Sequence, residues 1–207
     1  MGKSEPIVFI VDDDQAVRQS LTALAESIGL MAQTFGKAED FLNAYDPAQP
    51  GCLLLDIRMP GMSGLELQSK LNAEGIHIPV IIITEHGDIP MAVSALKAGA
   101  VNFIEKSCKD QLLIDNINKA IEIDAKLRCR QAARAEVVAK VGLLTSRERE
   151  IADLLLQGRS NKNIGYDLGI SQKTVDFHRV NILRKMGVDS LVSLLRLMHR
   201  AGLEKIN

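Results

Sequence analysis

A chain of 207 residues can hold one large or two ordinary domains, and 46% hydrophobic with 25% charged residues are globular values that argue against intrinsic disorder and fibrous architecture. Aromatic residues make up 3% with no Trp, so an aliphatic core is expected; the first apolar run, Ile7 to Val11, stops at Asp12-Asp13-Asp14, and neither a membrane span nor a signal peptide is expected. The formal charge of -1 hides a division, because residues 1–108 carry -7, residues 109–142 carry +2 and residues 143–207 carry +4; an acidic module followed by a basic one points to a polyanion partner for the second.

In chain order, the runs Ile7 to Val11, Cys52 to Leu55, Val80 to Ile83 and Val101 to Ile104 are continuously apolar rather than alternating, as strands covered on both faces should be, and Met31 to Phe35 reads as a weaker fifth strand. Amphipathic stretches lie between them: Val17, Leu21, Leu24 and Ile28; Phe41 to Tyr45; Leu65, Leu67 and Leu71; Ala92, Ala95 and Leu96. Ser63 and Glu66 have the spacing of a capping box. This β-α alternation predicts a parallel sheet with helices on both faces. From Gln111 a helical pattern runs on to about Ala139 without Gly or Pro, which predicts a stiff helical linker. After Gly142 the pattern is all-helical, with four short helices divided at Gly158, Gly169 and Gly187. The expected division is 1–125, a linker 126–142 and 143–207.

Ligands of an open parallel sheet gather at the carboxyl ends of its strands. There this chain carries Asp12 and Asp13 after the first strand, Asp56 at the end of the third, Thr84 at the end of the fourth and Lys106 at the end of the fifth. Converging carboxylates repel unless protons or a cation compensate, and oxygen-only ligands favour Mg²⁺. A carboxylate beside such an ion can attack phosphorus to give an aspartyl phosphate, with Asp56 as nucleophile, Thr84 bonding a phosphoryl oxygen and Lys106 pairing with another. A structural metal site and plain solvated loop acids are the competing readings.

Val11-Asp12-Asp13, Leu55-Asp56 through Gly64, Thr84-Glu85-His86-Gly87-Asp88, Lys97-Ala98-Gly99-Ala100 and Glu105-Lys106 resemble the receiver domain of two-component response regulators over about residues 5–125, most like the FixJ branch. The resemblance implies a flavodoxin-like (βα)₅ fold, Asp56 as phosphoacceptor, and Asp12, Asp13, Asp56 and the Arg58 main-chain carbonyl as Mg²⁺ ligands. It also implies Thr84 and Lys106 as phosphate sensors and Phe103 as the aromatic switch. Two positions depart from the family. Ser107 stands where a cis-proline is usual, and since a cis bond before a non-proline costs about 2.5–4 kcal/mol, a trans bond is expected. Glu85 replaces a small residue and puts a further carboxylate at the rim.

In the rear module Thr145 and Glu148 form a second capping box, Ser160 caps a short helix ended by Gly169, and Ser171 caps a helix from Gln172 to Met186, the layout of a helix-turn-helix. Val175, Ile182 and Met186 fall on the inward face of that last helix, while Lys173, Asp176, Phe177, Val180 and Arg184 fall on the outward one. Lys162, Lys173 and Lys185, with the helix N-termini, are candidates for backbone phosphates. Leu144-Thr145 with Arg147-Glu148, Gly158 through Lys162, Ile170-Ser171, Thr174-Val175, His178 and Asn181-Ile182 through Val188 resemble the LuxR-type DNA-binding domain over about residues 143–205. The resemblance places Asp176, Phe177 and Val180 at base edges with Arg179 and Arg184 flanking and Thr174 among the DNA-binding residues; His178 is expected to pack the helix or contact phosphate rather than bind a metal. Asp176 could accept from a cytosine amino group or hold Arg179. His77 and His86 are expected to be surface or structural residues.

The expected protein is a regulator rather than an enzyme. Its partners would be a sensor histidine kinase, double-stranded promoter DNA, a second copy of itself when phosphorylated, and RNA polymerase as a further candidate, with no membrane partner. A phosphohydrolase of the haloacid dehalogenase type would need a general acid where Arg58 stands. The remaining alternative is a DNA-binding regulator whose atypical receiver answers to a protein partner rather than to phosphate. Cys52, Cys108 and Cys129 lack metal or redox spacing and fit a reduced cytoplasmic setting.

Overall fold

Four apolar runs and the weaker stretch Met31–Phe35 become five parallel strands, and their burial follows their place in the sheet. The computed structural model describes residues 5–85, 89–203 and 205–206; His86, Gly87 and Asp88, part of one expected motif, lie outside them. The strands are β1 (Ile7–Val11), β2 (Met31–Phe35), β3 (Gly51–Asp56), β4 (Val80–Thr84) and β5 (Asn102–Glu105), in the order β2-β1-β3-β4-β5. Every residue of β3 and β4 is buried, whereas the edge strands β2 and β5 are only partly covered, with one buried residue each. That explains why Met31–Phe35 carries the weaker signal: an edge strand has only one neighbour and a partly wet face.

Helices α1 (Gln15–Ser27), α2 (Ala38–Ala44), α3 (Gly64–Ala73) and α4 (Ile89–Lys97) connect the strands, and α5 (Asp110–Gly142) follows β5. Alternate strand residues face opposite layers. Val8, Ile10, Leu54, Ile81 and Ile83 pack with Leu21 and Ala25 of α1 and with Leu113 and Ile117 of α5. Phe9, Val11, Leu53, Leu55 and Ile82 pack with Phe41 of α2, Leu67 and Leu71 of α3 and Ala95 of α4. The expected aliphatic core therefore has one correction. Phe9, Phe35, Phe41 and Tyr45 meet edge-on and stacked, with ring centroids 5.1–5.8 Å apart, so most of the few aromatics are spent on one corner.

Helix α5 extends three residues past the expected Ala139, to Gly142. The chain divides into two compact units, Met1–Lys126 and Leu127–Asn207. Within the second, Val137 is buried in one cluster with Ile151, Val175 and Ile182, so the distal part of segment 126–142 is core rather than free linker. That unit continues with α6 (Ser146–Leu156), α7 (Asn161–Asp167), α8 (Gln172–Met186) and α9 (Leu191–Arg200). The expected caps are in place: Thr145 with Glu148 and Ser63 with Glu66 form complete capping boxes, and the Ser160 and Ser171 hydroxyls accept from Asn163 N and Thr174 N. Gly187 closes α8 in the left-handed conformation, φ 71°, where a side chain would be strained.

Candidate functional site

The strand ends bring the acidic residues together because each follows or ends a neighbouring strand. Asp12 follows β1, Asp56 ends β3, Thr84 ends β4 and Lys106 follows β5. Asp12 N donates to Phe35 O at 3.1 Å and Lys106 N to Thr84 O at 2.8 Å, which locks the loops to the sheet. Asp12 is fully buried, Asp56 and Thr84 are nearly so, and Asp13 and Glu85 are exposed at the rim. Carboxylate oxygens of Asp12, Asp13 and Asp56 all lie within 4.8 Å of one another. Lys106 Nζ sits 2.7 Å from Asp12 Oδ2 and 3.4 Å from Asp56 Oδ1. The Lys106-Ser107 bond is trans, since the described residues contain no cis peptide, and the lysine still reaches both acids. A cleft of ≈ 270 Å³ opens above them, lined by Asp13, Asp56, Arg58, Thr84, Glu85 and Lys106 among others.

Charge follows geometry. Burial pushes the Asp56 carboxyl above its ordinary value; the Lys106 ammonium pulls it back and Asp12 pushes it up again, leaving it raised. Burial works against the Lys106 charge, but its hydrogen bond to Asp12 and the charges of Asp12 and Asp56 outweigh this and hold its pKa above the ordinary 10.5. The donor set, three carboxylates with no nitrogen or sulfur, fits a hard divalent cation such as Mg²⁺.

A raised carboxyl pKa means that the folded chain holds this proton more tightly than the unfolded chain, so the contribution of Asp56 is most favourable below the ordinary 3.8 and is lost as pH rises through the folded value. Mg²⁺ needs the ionised form. Millimolar Mg²⁺ is therefore expected to raise the melting temperature of the first unit at pH 7.5 and to have little effect near pH 4, as differential scanning calorimetry would read.

Two residues not singled out from the sequence hold the site. Arg18 Nη1 donates to Asp12 O at 2.6 Å, fixing the acid's main chain from α1; its spacing, one turn into the helix after the acidic run, was the only available signal. Gly64, the first residue of α3, lies against the Asp56 backbone: a Cβ there would fall 2.0 Å from Asp56 O. Gly64→Ala is expected to destabilise the first unit by about 1–3 kcal/mol through overpacking, measured as an earlier urea transition for that unit alone. Phe103, on β5, is half-buried and packs against the cluster containing Ile82 and Ala95.

In the second unit Val175, Ile182 and Met186 are wholly buried, while Lys173, Asp176, Phe177, Val180 and Arg184 are exposed, as the helical spacing predicts. Phe177 and Val180 expose 65% and 64% of their surface, a cost in water that suits a face built to be covered. Lys162 is exposed, and Thr174, His178 and Arg179 are half-buried. Thr174 Oγ1 lies 2.8 Å from Ser171 Oγ, tied into the cap. Lys185 differs from expectation, and of the two readings open for Asp176 the contact with Arg179 is not the one formed. Lys185 turns inward, its Nζ 2.7 Å from Glu148 Oε2, rather than out toward phosphate. Asp176 bonds neither Arg179 nor any other cation among the described residues; its Oδ1 accepts from Asn161 Nδ2 at the start of α7. Sequence spacing could not anticipate either contact, since each joins different helices.

Comparison with known proteins agrees with this geometry. Residues 8–118 match the response regulator receiver domain family, and residues 142–198 match the family of bacterial regulatory proteins described as luxR. The transcriptional regulatory protein FixJ of Azorhizobium caulinodans is 44% identical over 202 residues, 98% of this chain and 95% of that one. Nodulation protein W of Bradyrhizobium diazoefficiens is 41% identical over 98% of this chain and 89% of its own. Among solved structures, the response regulator StyR matches with a TM-score of 0.84 at 43% identity, over 95% of this chain and 100% of its own. Full-length FixJ from B. japonicum matches at 0.59 and 38% identity, over 97% and 98%. With an acidic strand-end cleft in its first unit and a capped helix-turn-helix in its second, the chain belongs to the response regulators that join a receiver domain to a LuxR-type DNA-binding domain.

Proposed function

We propose that Asp56 is the phosphoacceptor and that its phosphorylation by a sensor histidine kinase controls binding of the second unit to promoter DNA. In the transfer, an Asp56 carboxylate oxygen forms a bond to phosphorus while the bond from phosphorus to the donor imidazole nitrogen breaks. Asp12, Asp13, Asp56 and the Arg58 main-chain carbonyl would hold Mg²⁺, which supplies charge neutralisation at the phosphoryl oxygens when bound. Thr84 donates its hydroxyl to one phosphoryl oxygen, and Lys106, already between Asp12 and Asp56, pairs with another. The added charge draws Thr84 and Lys106 toward the phosphoryl group, and Phe103 on the adjoining strand turns in response. The observation that carries this reading is the meeting of three carboxylates and one ammonium at the carboxyl edge of the sheet.

Downstream, α8 enters the major groove with Thr174, Asp176, Phe177, His178 and Val180 toward the bases, while Lys162, Lys173, Arg179 and Arg184 engage phosphates. One such helix gives a small interface, so phosphorylation acts by pairing two copies on two half-sites, in a complex that also offers a surface to RNA polymerase. The acyl phosphate is a signal rather than a turnover intermediate, because Arg58 stands where a general acid would be required. Nothing in the geometry favours a receiver indifferent to phosphate, for Lys106 is in place despite Ser107. Affinity for duplexes selected from a random pool, measured with and without the phosphoryl analogue beryllofluoride plus Mg²⁺, is expected to rise at least tenfold with the analogue, about 1.4 kcal/mol. Equal affinities would overturn the control mechanism.

A further inference from the structure

On a helix that meets DNA, an exposed carboxylate is an oddity. It is repelled by the phosphates, and it is favourable there only if a base donates a hydrogen bond to it. Asp176 is such a group: it is exposed on α8, it stands beside the exposed Phe177 and one turn before the exposed Val180, and no cation lies within ion-pair distance among the described residues. Its neighbour is an amide. Asn161 Nδ2, at the first position of α7, donates to Asp176 Oδ1. That bond ties the two helices of the helix-turn-helix and engages Oδ1, while Oδ2 accepts no hydrogen bond among the described residues.

Resting on the DNA-binding reading above, we propose that Asp176, oriented by Asn161, is a specificity-determining residue that reads a cytosine in each half-site by accepting a hydrogen bond from its N4 amino group. The chemistry is selective in both directions. Guanine and thymine present carbonyl oxygens in the major groove, which a carboxylate repels, and adenine presents its donor beside the N7 acceptor, which a carboxylate matches only on one side. The flanking apolar surface of Phe177 and Val180 has its own complement in thymine C5-methyl groups, so the preferred half-site is a cytosine with thymine on at least one side. Asn161 is here a positioning residue: it touches no base, and its amide restricts the rotamers open to the exposed carboxylate.

The full chain, activated with beryllofluoride and Mg²⁺, is used to select from a randomised duplex pool, in parallel with Asp176→Ala, Asp176→Asn and Asn161→Ala. The wild type is expected to enrich a motif with one near-invariant C·G pair per half-site. Asp176→Ala should lose the preference at that pair alone, by about ten- to hundredfold, with the rest of the motif unchanged and the second unit still folded by circular dichroism. Asp176→Asn should move the preference from cytosine toward adenine, because an amide matches the paired donor and acceptor of that base. Asn161→Ala should weaken the cytosine preference without replacing it. If Asp176→Ala and Asp176→Asn recover the wild-type motif with undiminished discrimination, the cytosine assignment is overturned while DNA binding stands. If the wild type enriches no motif, both the assignment and the DNA-binding reading fall.

Discussion

Replacing Asp56 by Asn should abolish labelling by acetyl phosphate in the presence of Mg²⁺, with a loss of at least a hundredfold and no acid-stable, hydroxylamine-labile product. Among the three carboxylates within 4.8 Å of one another, Asp56 is the one that both ends a buried strand and lines the open cleft, so it presents an oxygen to an incoming phosphorus while its backbone is held by the sheet. Asp12 is wholly buried and its Oδ1 already accepts from Asp14 N at 2.9 Å, which leaves it suited to holding charge rather than attacking. The substitution should not harm the fold. The Asp56 carboxyl is raised chiefly by burial, so a neutral amide removes a buried charge that the unliganded fold tolerates poorly. At pH 7.5 without divalent cations the variant is expected to melt a few degrees above wild type, with a smaller response to Mg²⁺. Undiminished labelling would displace Asp56 as phosphoacceptor, and a variant that melts lower would contradict the charge balance.

The second large effect is in the other unit. Lys185→Met should destabilise it by about 2–3 kcal/mol, on the order of 10 °C in a unit of this size. Glu148 is 4% exposed and its Oε2 accepts from Thr145 N at 2.8 Å, Thr145 Oγ1 at 3.0 Å and Lys185 Nζ at 2.7 Å. Burial alone would raise this carboxyl, but the Lys185 hydrogen bond, the Thr145 donors and the Lys185 charge together hold it below the ordinary 4.5. A depressed carboxyl pKa stabilises the fold above its unfolded value and ceases to do so as pH falls through the folded one. The wild-type unit should therefore lose stability below about pH 4.5, and Lys185→Met should lose most of that acid sensitivity along with its stability at pH 7. DNA affinity separates this residue from true phosphate contacts. Lys173→Ala is expected to flatten the salt dependence by about one unit of slope at unchanged stability, whereas Lys185→Met should affect binding only through the folded fraction. A Lys185→Met variant with normal melting and a reduced salt slope would return Lys185 to the DNA face.

How much could be read without coordinates differs by kind of feature. The central strands of the sheet, the two capping boxes and the span Gln172–Met186 are legible because each rests on local chemistry: apolar runs, a hydroxyl three residues before a carboxylate, a serine before a helix and a glycine after it. The acidic site was legible for a topological reason, since β-α alternation sends every strand in the same direction and collects the residues after each strand on one edge. The inward and outward faces of α8 followed from the helical period.

What only the folded chain decided involves contacts between elements distant in sequence. Arg18 on the Asp12 carbonyl, Gly64 against Asp56, Lys185 in the Glu148 cap and Asn161 on Asp176 each depend on side-chain reach and on the space between packed helices, for which a one-dimensional pattern carries no coordinate. The sequence by itself determined which elements form and which edge of the sheet is acidic, because hydrophobic periodicity and caps act within a few residues. Tertiary packing determined which lysine is a structural partner and which acid is left without a cation, because those outcomes turn on which charges meet and which remain in water.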